Sequence, residues 1–440
     1  MIRSFFTVIC ATIALAACVN PAATSLSSSP STPVTPSASA IPTATAEPSP
    51  SALTDWQLAT IPSPVAGKWP TPAAVAAGDG RLVAVGGPTY PAGVDEGMLY
   101  GTIWTSTDGL DWTAIELDPV LEVGAGRPTS GPDAGFMDVA YGPGGFVVLG
   151  HEMTDQGIRV GIWRSTTGST WERVDVPHAV FAGGRPVAVG AGGPGYVMVG
   201  AWVDRDAPSK DAAPPRAAVW TSPDGRRWTR VRDQNGFAVG GYIDTGETPD
   251  AGGMLGVTAT TTGLVAVGRT CKGVNLMEGQ VQACRPLLWT STDALTWERI
   301  DPGVAVHPGN VPYIAAIGDR LVAVGGGWSH SPGRYVLRSS DGTTWRWDED
   351  AGQPGFEGIV GVPGSFIATW HDSGQIGLST SPDGKTWAPI RDVPEMSTGP
   401  SIRASDIVAT QDRVVIVGWR EGEDDAAKAG FAVVGPLETD

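Results

Sequence analysis

Hydrophobic positions along this chain come in short, glycine-bounded runs. The segments GRLVAVGG (80–87), GFVVLGH (145–151), GYVMVGA (195–201), GLVAVGR (263–269), RLVAVGG (320–326), SFIATWH (365–371) and RVVIVGW (413–419) are seven copies of one apolar strand. A weaker apolar segment, such as FMDVAYG or YIAAIGD, precedes each copy. Runs of Val, Ile and Leu bounded by Gly, Pro and Asp are strand signals. No apolar periodicity of 3.6 residues extends far enough to predict a helix. One strand repeated at intervals of tens of residues predicts a repeat architecture.

A polar motif, S-x-D-G-x-x-W, follows six of the seven runs. Ser106, Asp108, Gly109 and Trp112 keep every position, as do Ser222, Asp224, Gly225 and Trp228. Ser339, Asp341, Gly342 and Trp345, and then Ser381, Asp383, Gly384 and Trp387, do the same. Two copies depart. Ser165, Gly168 and Trp171 flank Thr167 in place of Asp, and Ser291, Asp293 and Trp297 flank Ala294 in place of Gly. The motif has the chemistry of a tight turn: an Asp carboxylate accepts backbone N–H groups of its own turn, Gly supplies positive φ without steric cost, and Trp wedges between sheets. These residues are expected to secure a turn. The tryptophans fall at unequal intervals, as a constant unit with variable loop insertions requires.

Recurring in phase over residues 56–440, the motif resembles the Asp-box, or BNR repeat, of sialidases and related β-propellers. Each unit reads as four strands: inner, second, third ending in the Ser-x-Asp-Gly turn, and an outer strand led by Trp. Seven second strands predict seven blades, with six blades or an open solenoid as competing architectures. The last unit contains SDIVATQ, RVVIVGW and GFAVVGP and then stops at Asp440 without an outer strand. LTDWQLATIP (53–62) resembles LTWERIDP (295–302), so the strand led by Trp56 is expected to complete the last blade. The predicted fold class is all-β, a seven-bladed β-propeller of four-stranded antiparallel blades closed by an N-terminal strand. Radial closure removes exposed sheet edges. Trp104, Trp163, Trp220 and Trp289 of the third strands are expected in the core.

The N-terminal region follows a different pattern. Arg3 and the apolar run FFTVICATIALA have the charged start and short core of a secretory signal, too short to span a bilayer. Leu15-Ala16-Ala17-Cys18 resembles the lipobox of bacterial lipoproteins, which implies that Cys18 becomes the acylated first residue; an ordinary signal peptide is the alternative. The expected organisation is a signal peptide over 1–17, Cys18 with a Pro/Ser/Thr/Ala-rich tether over 18–53, and the propeller over 54–440. Such a tether cannot bury a core. At ~3.1 Å per residue it reaches roughly 100 Å. The layout implies an exported protein, lipid-anchored at a cell membrane or envelope and facing outside the cytoplasm. With Cys10 in the signal and Cys18 lipidated, Cys271 and Cys284 remain as an even pair, and a disulfide across their loop is expected. Two free thiols or half a metal site are the other readings. The loop between them holds no His, which disfavours zinc.

A formal charge of −17 and a pI near 4.7, with no basic stripe, argue against nucleic acid as a partner. The Asp-box resemblance implies, for a sialidase, three arginines, a Tyr nucleophile backed by Glu, an Asp acid/base and an Arg-Ile-Pro motif in the first blade. No Arg-Ile-Pro occurs, and none of the seven tyrosines sits in a recognisable motif with Glu. The resemblance also implies that the Asp-boxes lie opposite the usual ligand face. Candidate ligand residues therefore follow the second strands: Trp202, Trp328, Trp370 and Trp419, with His151, His330, His371 and Asp372. The tryptophans either form a stacking platform or pack under their own insertions. Asp138 and Asp406 stand at matching inner-strand positions, as water-bound channel carboxylates or as a weak catalytic candidate. The five His are scattered, no G-x-S-x-G occurs, and Gly clusters precede strands, so no metal or cofactor is expected. The functional expectation is a monomeric, lipid-anchored binding or scaffolding module for an envelope protein or glycan. A glycoside hydrolase on the same scaffold is the alternative.

Overall fold

The computed structural model describes residues 55–63, 69–89, 101–115, 135–154, 157–204, 215–239, 252–272, 283–304, 309–327, 333–351, 353–372, 375–394, 402–421 and 428–437. The signal, Cys18, the tether, Trp328 and His330 lie outside these residues. Strand β1 (Gln57–Ile61) is followed by six antiparallel four-stranded blades. Blade 1 is β2 (Trp69–Gly78), β3 (Arg81–Thr89), β4 (Thr102–Ser106) and β5 (Thr113–Ile115). Blade 2 is β6 (Phe136–Gly142), β7 (Gly145–Thr154), β8 (Gly157–Ser165) and β9 (Glu172–Arg173). A one-turn helix, α1 (His178–Phe181), leads to blade 3, which is β10 (Gly184–Gly192), β11 (Gly195–Trp202), β12 (Arg216–Ser222) and β13 (Thr229–Arg230). Blade 4 is β14 (Gly252–Ala259), β15 (Leu264–Lys272), β16 (Ala283–Ser291) and β17 (Glu298–Ile300). Blade 5 is β18 (Gly309–Ile317), β19 (Arg320–Gly327), β20 (Gly333–Ser339) and β21 (Arg346–Ala351). Blade 6 is β22 (Phe356–Val362), β23 (Ser365–Asp372), β24 (Gln375–Ser381) and β25 (Ala388–Pro389).

Blade 7 joins the two ends of the chain. Its strands β26 (Ile402–Ala409), β27 (Arg413–Glu421) and β28 (Lys428–Pro436) are completed by β1, with Gln57 opposite Val434 and Ile61 opposite Gly430. Each inner strand touches the next, and β26 returns to β2. The chain is a seven-bladed β-propeller with the expected closure.

Its core lies between blades. Second strands are apolar on both faces, so alternate residues serve opposite neighbours. In β3, Val83 and Val85 pack towards Phe146 and Val148 of blade 2, while Leu82 and Ala84 pack towards Val415 and Val417 of blade 7. Seven such seams ring the molecule. Trp104, Trp163, Trp220 and Trp289 are wholly buried in them. Trp104, Trp220 and Trp289 also donate their indole N–H to the carbonyls of Pro62, Val180 and Gly236, at 2.7, 2.9 and 2.8 Å. Those acceptors lie on the connectors arriving from the preceding blade, so each tryptophan fixes a connector as it fills a seam.

The Ser-x-Asp-Gly turns are built by local hydrogen bonds. Asp341 accepts the amides of Thr343 and Thr344 at 2.8 and 2.7 Å, and the Ser339 hydroxyl bonds the same carboxylate at 3.0 Å. The Trp345 indole closes the turn on the Gly342 carbonyl at 3.0 Å. Turn amides hold Asp293, Asp341 and Asp383 below the usual carboxylate range. Where Thr167 replaces Asp, one bond of 3.3 Å, from the Ser169 amide to its hydroxyl, takes over. Ala294 keeps the turn at φ 61, in the left-handed region that disfavours a side chain. The turn glycines face the preceding blade: a Cβ on Gly384 would fall 2.3 Å from Val322 Cγ2, and one on Gly225 2.6 Å from Val147 Cγ2.

Gly342 and Gly384 share φ 72, yet an added Cβ at Gly342 meets nothing closer than 3.6 Å. Gly342→Ala should therefore cost only the left-handed penalty of about 1 kcal/mol. Gly384→Ala should cost about 1–3 kcal/mol more through overpacking. Urea denaturation of the two variants checks the ordering, and equal losses would contradict the seam geometry.

Candidate functional site

Six second strands carry Gly at the position opposite the start of the inner strand. A Cβ on Gly86, Gly200, Gly268, Gly325 or Gly418 would fall 2.0–2.1 Å from an inner-strand carbonyl oxygen. The approach is close because every inner strand bulges there, as at Phe136/Asp138 in β6 and Ala404/Asp406 in β26. A bulge leaves backbone groups outside the ladder. Asp138 and Asp406 answer that need. Asp138 accepts the amides of Val139 and of Val189 in the next blade, at 2.8 and 2.7 Å. Asp406 accepts those of Ile407 and of Val75 across the closure, at 2.8 and 2.9 Å.

Both side chains keep a little surface towards the channel, but protein atoms surround them closely enough for burial to dominate. It pushes the Asp138 carboxyl up to about 7 against the pull of the Val189 amide, and the charge of Asp406 adds to the rise. Burial pushes Asp406 up to about 6 despite its two amides. Tyr313 of β18 is pushed up to about 12 by the protein crowded around it and by the charges of Glu357 and Asp406, although 36% of its surface remains exposed. Glu357, the bulged residue of β22, is raised by burial against the pull of His371 and Arg403. Its Oε2 and the Nε2 of His371 are buried without a hydrogen-bond partner. This group sits where inner strands begin and second strands end, opposite the Ser-x-Asp-Gly turns.

The described candidate ligand residues spread over blades 2, 3, 6 and 7, with Trp370, His371 and Asp372 together on β23. The Trp202 indole donates to the Ala182 carbonyl at 3.0 Å, and the Arg230 guanidinium lies 4.4 Å from its ring centroid. Trp370 donates to the Ser379 hydroxyl at 3.1 Å, with its ring filling the space that a side chain at Gly377 would need. Trp419 is half-buried and stands opposite Arg403 and Gly430. Asp372 is exposed at the end of β23. His151, buried at the end of β7, lines a cleft of about 670 Å³ that spans the same face of blades 2 to 4. Sequence reasoning passed over that cleft's arginines, Arg159, Arg173, Arg185 and Arg269. One signal was present: Arg269 follows its strand Gly as His151 follows Gly150. Cys271 and Cys284 stand directly opposite each other in β15 and β16. Among the described residues no group of three or more His, Cys, Asp or Glu could hold a metal ion, and no helix is long and apolar enough to cross a membrane.

No protein-family model matches the chain, and no curated protein matches it. Solved structures do. The structure of YCF48 bound to D1 peptide matches with a TM-score of 0.50 at 15% identity, covering 88% of this chain and 97% of that one. Polysaccharide lyase Uly1 matches with a TM-score of 0.54 at 8% identity, covering 84% and 90%. Trypanosoma rangeli sialidase in complex with sialic acid matches with a TM-score of 0.42 at 13% identity, covering 85% of this chain and 56% of that chain. The first two likenesses show a shared β-propeller fold.

The shifted carboxyls make stability depend on pH in two windows. Asp138 and Asp406 are raised to about 7 and about 6, and Glu357 is raised as well, so the stability these carboxyls give is complete below about pH 4 and falls as pH rises above it, the part from Asp138 and Asp406 being lost by 6 to 7. The turn carboxylates of Asp293, Asp341 and Asp383 are lowered, and their contribution is lost only as pH falls below about 4. The melting midpoint should be several degrees higher at pH 5 than at pH 8, and Asp138→Asn should flatten that slope. Calorimetric scans across the range check both; a midpoint that rises from pH 5 to pH 8 would contradict the assignment.

Proposed function

We propose that this propeller is a lipid-anchored, extracytoplasmic binding module that holds a protein or glycan partner on the face opposite its Asp-box turns. One observation carries the reading. The channel carboxylates that could serve catalysis, Asp138 and Asp406, hold backbone amides between blades, while the same face opens a cleft of about 670 Å³. That size suits a ligand or a few side chains of a partner. The fold leaves the ligand class open: one structural neighbour is described bound to a peptide and another as a polysaccharide lyase.

The anchor rests on Leu15-Ala16-Ala17-Cys18 and on the tether behind it; two or three acyl chains would hold the protein where one would not. A disulfide between Cys271 and Cys284 belongs to the same exported reading, supported by their pairing across β15 and β16 and by the bonded state of Cys284. Cys18→Ser should release the protein or leave it as unprocessed precursor, and unchanged lipid labelling of that variant would remove the anchor. The binding role predicts no turnover of a panel of sialosides, arabinosides and other glycosides by the purified protein. Hydrolysis abolished by Asp138→Asn or Asp406→Asn, with folding intact, would establish the hydrolase instead.

A further inference from the structure

Blade 6 breaks a pattern that the other six blades keep. The ladder position just after each inner-strand bulge faces Val85, Leu149, Val199, Val267, Val324 or Val417 on the second strand, all of them buried. In blade 6 it faces Thr369, 1% exposed. Glu357 is the residue that the blade 6 register skips, and the residues skipped in the other blades carry no charge. Six copies show that the seam takes an aliphatic side chain where Thr369 stands, so packing does not ask for its hydroxyl. A repeat that departs from its own rule without a packing gain points to function.

The departures leave polar atoms without partners. Among the described residues, six buried side-chain N or O atoms lack a hydrogen-bond partner, and three of them are Glu357 Oε2, Thr369 Oγ1 and His371 Nε2. Successive side chains of a strand alternate between faces. Thr369 and His371 therefore share with Ile367 the face of β23 turned to blade 7, while Phe366, Ala368 and Trp370 turn to blade 5. Gly358, opposite Thr369, has no side chain to cover the hydroxyl; a Cβ there would lie 3.0 Å from Thr369 Oγ1. Glu357 feels the charges of His371 and of Arg403 on β26, and Tyr313 on β18 feels those of Glu357, Asp406 and Arg403. Buried groups left unpaired cost stability, and three in one patch call for an occupant.

The mixed charges narrow what that occupant is. An anion would meet Glu357 and Asp406, and a cation would meet Arg403. An apolar group would leave all three orphaned atoms unpaired. A hydroxyl both donates and accepts: it can donate to Glu357 Oε2 and accept from Thr369 or from His371 in its Nε2-protonated tautomer. A sugar ring presents several hydroxyls on one rigid frame, and Tyr313, 36% exposed, offers an aromatic face for its C–H groups. Glu357 and His371 are half-buried and their terminal torsions are soft, so hydroxyls reach the covered atoms by turning these side chains while the sheet stays in place.

Resting on the binding-module reading, we propose that the channel mouth at blades 5 to 7 is a binding site for a neutral saccharide, with Glu357, Thr369 and His371 taking its hydroxyls and Tyr313 its apolar edge.

The test is isothermal titration calorimetry on the full-length protein with five neutral probes: cellohexaose, maltohexaose, mannohexaose, xylohexaose and arabinohexaose. Sialyllactose and hexagalacturonate serve as acidic controls. We expect saturable binding of at least one neutral probe, with both acidic saccharides weaker by roughly tenfold or more. Thr369→Val, which installs the side chain of the other blades, should weaken that binding by roughly tenfold or more while the melting midpoint stays level or rises. Thr369→Ser, which keeps the hydroxyl, should retain most of the affinity. Glu357→Gln, on the inner strand, should give a loss similar to that of Thr369→Val. No saturable binding of any neutral probe, equal or tighter binding of an acidic one, or indifference to both Thr369→Val and Glu357→Gln would each overturn the site. So would a lowered midpoint in Thr369→Val, which would make the hydroxyl structural. These outcomes leave the binding-module reading in place, since a protein partner can still occupy this face and that reading fails on glycoside turnover.

Discussion

Each blade of this protein is apolar on both faces, so no blade covers its own core. Val83 and Val85 belong to one seam and Leu82 and Ala84 to another, although they are neighbours on a single strand. A sheet of this kind is stable only when flanked twice. The ring must therefore close, and β1 supplies the outer strand that the C-terminal blade lacks. Closure brings Ile61, 1% exposed, into the same seam as Trp104 and Trp112. Arg413 reaches from blade 7 to the Asp108 carbonyl of the first Ser-x-Asp-Gly turn at 2.8 Å, so the join is fastened on the face of those turns as well.

A second constraint follows from the ring. Seven inner strands converge on a channel and each bulges near its start, and in six of the seven blades the facing second strand carries glycine there, with Trp370 the exception. Asp138 and Asp406 hold the amides at two of these bulges. A carboxyl that binds two amides in a crowded channel is raised by burial and lowered by its hydrogen bonds, and here burial wins. A pair that looks catalytic by position also ties neighbouring blades together.

The two faces thus divide the work. Turns of the Ser-x-Asp-Gly type lock one face through bonds confined to a few residues. The other face carries the ends of the second strands. Blade 6 shows the exchange directly: Trp370 stands where other blades have Gly, and Gly377 yields the room for its ring.

The blade count, the four-strand unit, the Ser-x-Asp-Gly turns and the closing strand led by Trp56 were legible in the sequence. Each rests on short-range physics: alternation along a strand, a carboxylate capping its own turn, a glycine at positive φ. Such features leave their mark within a few residues and repeat with every blade. The cleft was not legible. Its arginines come from β8, β9, β10 and β15, more than a hundred residues from first to last, and only the ring brings them together. The same holds for Trp202 and Trp370, whose indole partners, Ala182 and Ser379, are set by connectors and neighbouring strands. Asp138 could be placed on an inner strand from its register, but its bond to Val189 exists only because blade 3 packs beside blade 2. Local pattern determined what each blade is; the packing of one blade on the next decided what its loops and carboxylates do, because those contacts join residues that the chain keeps far apart.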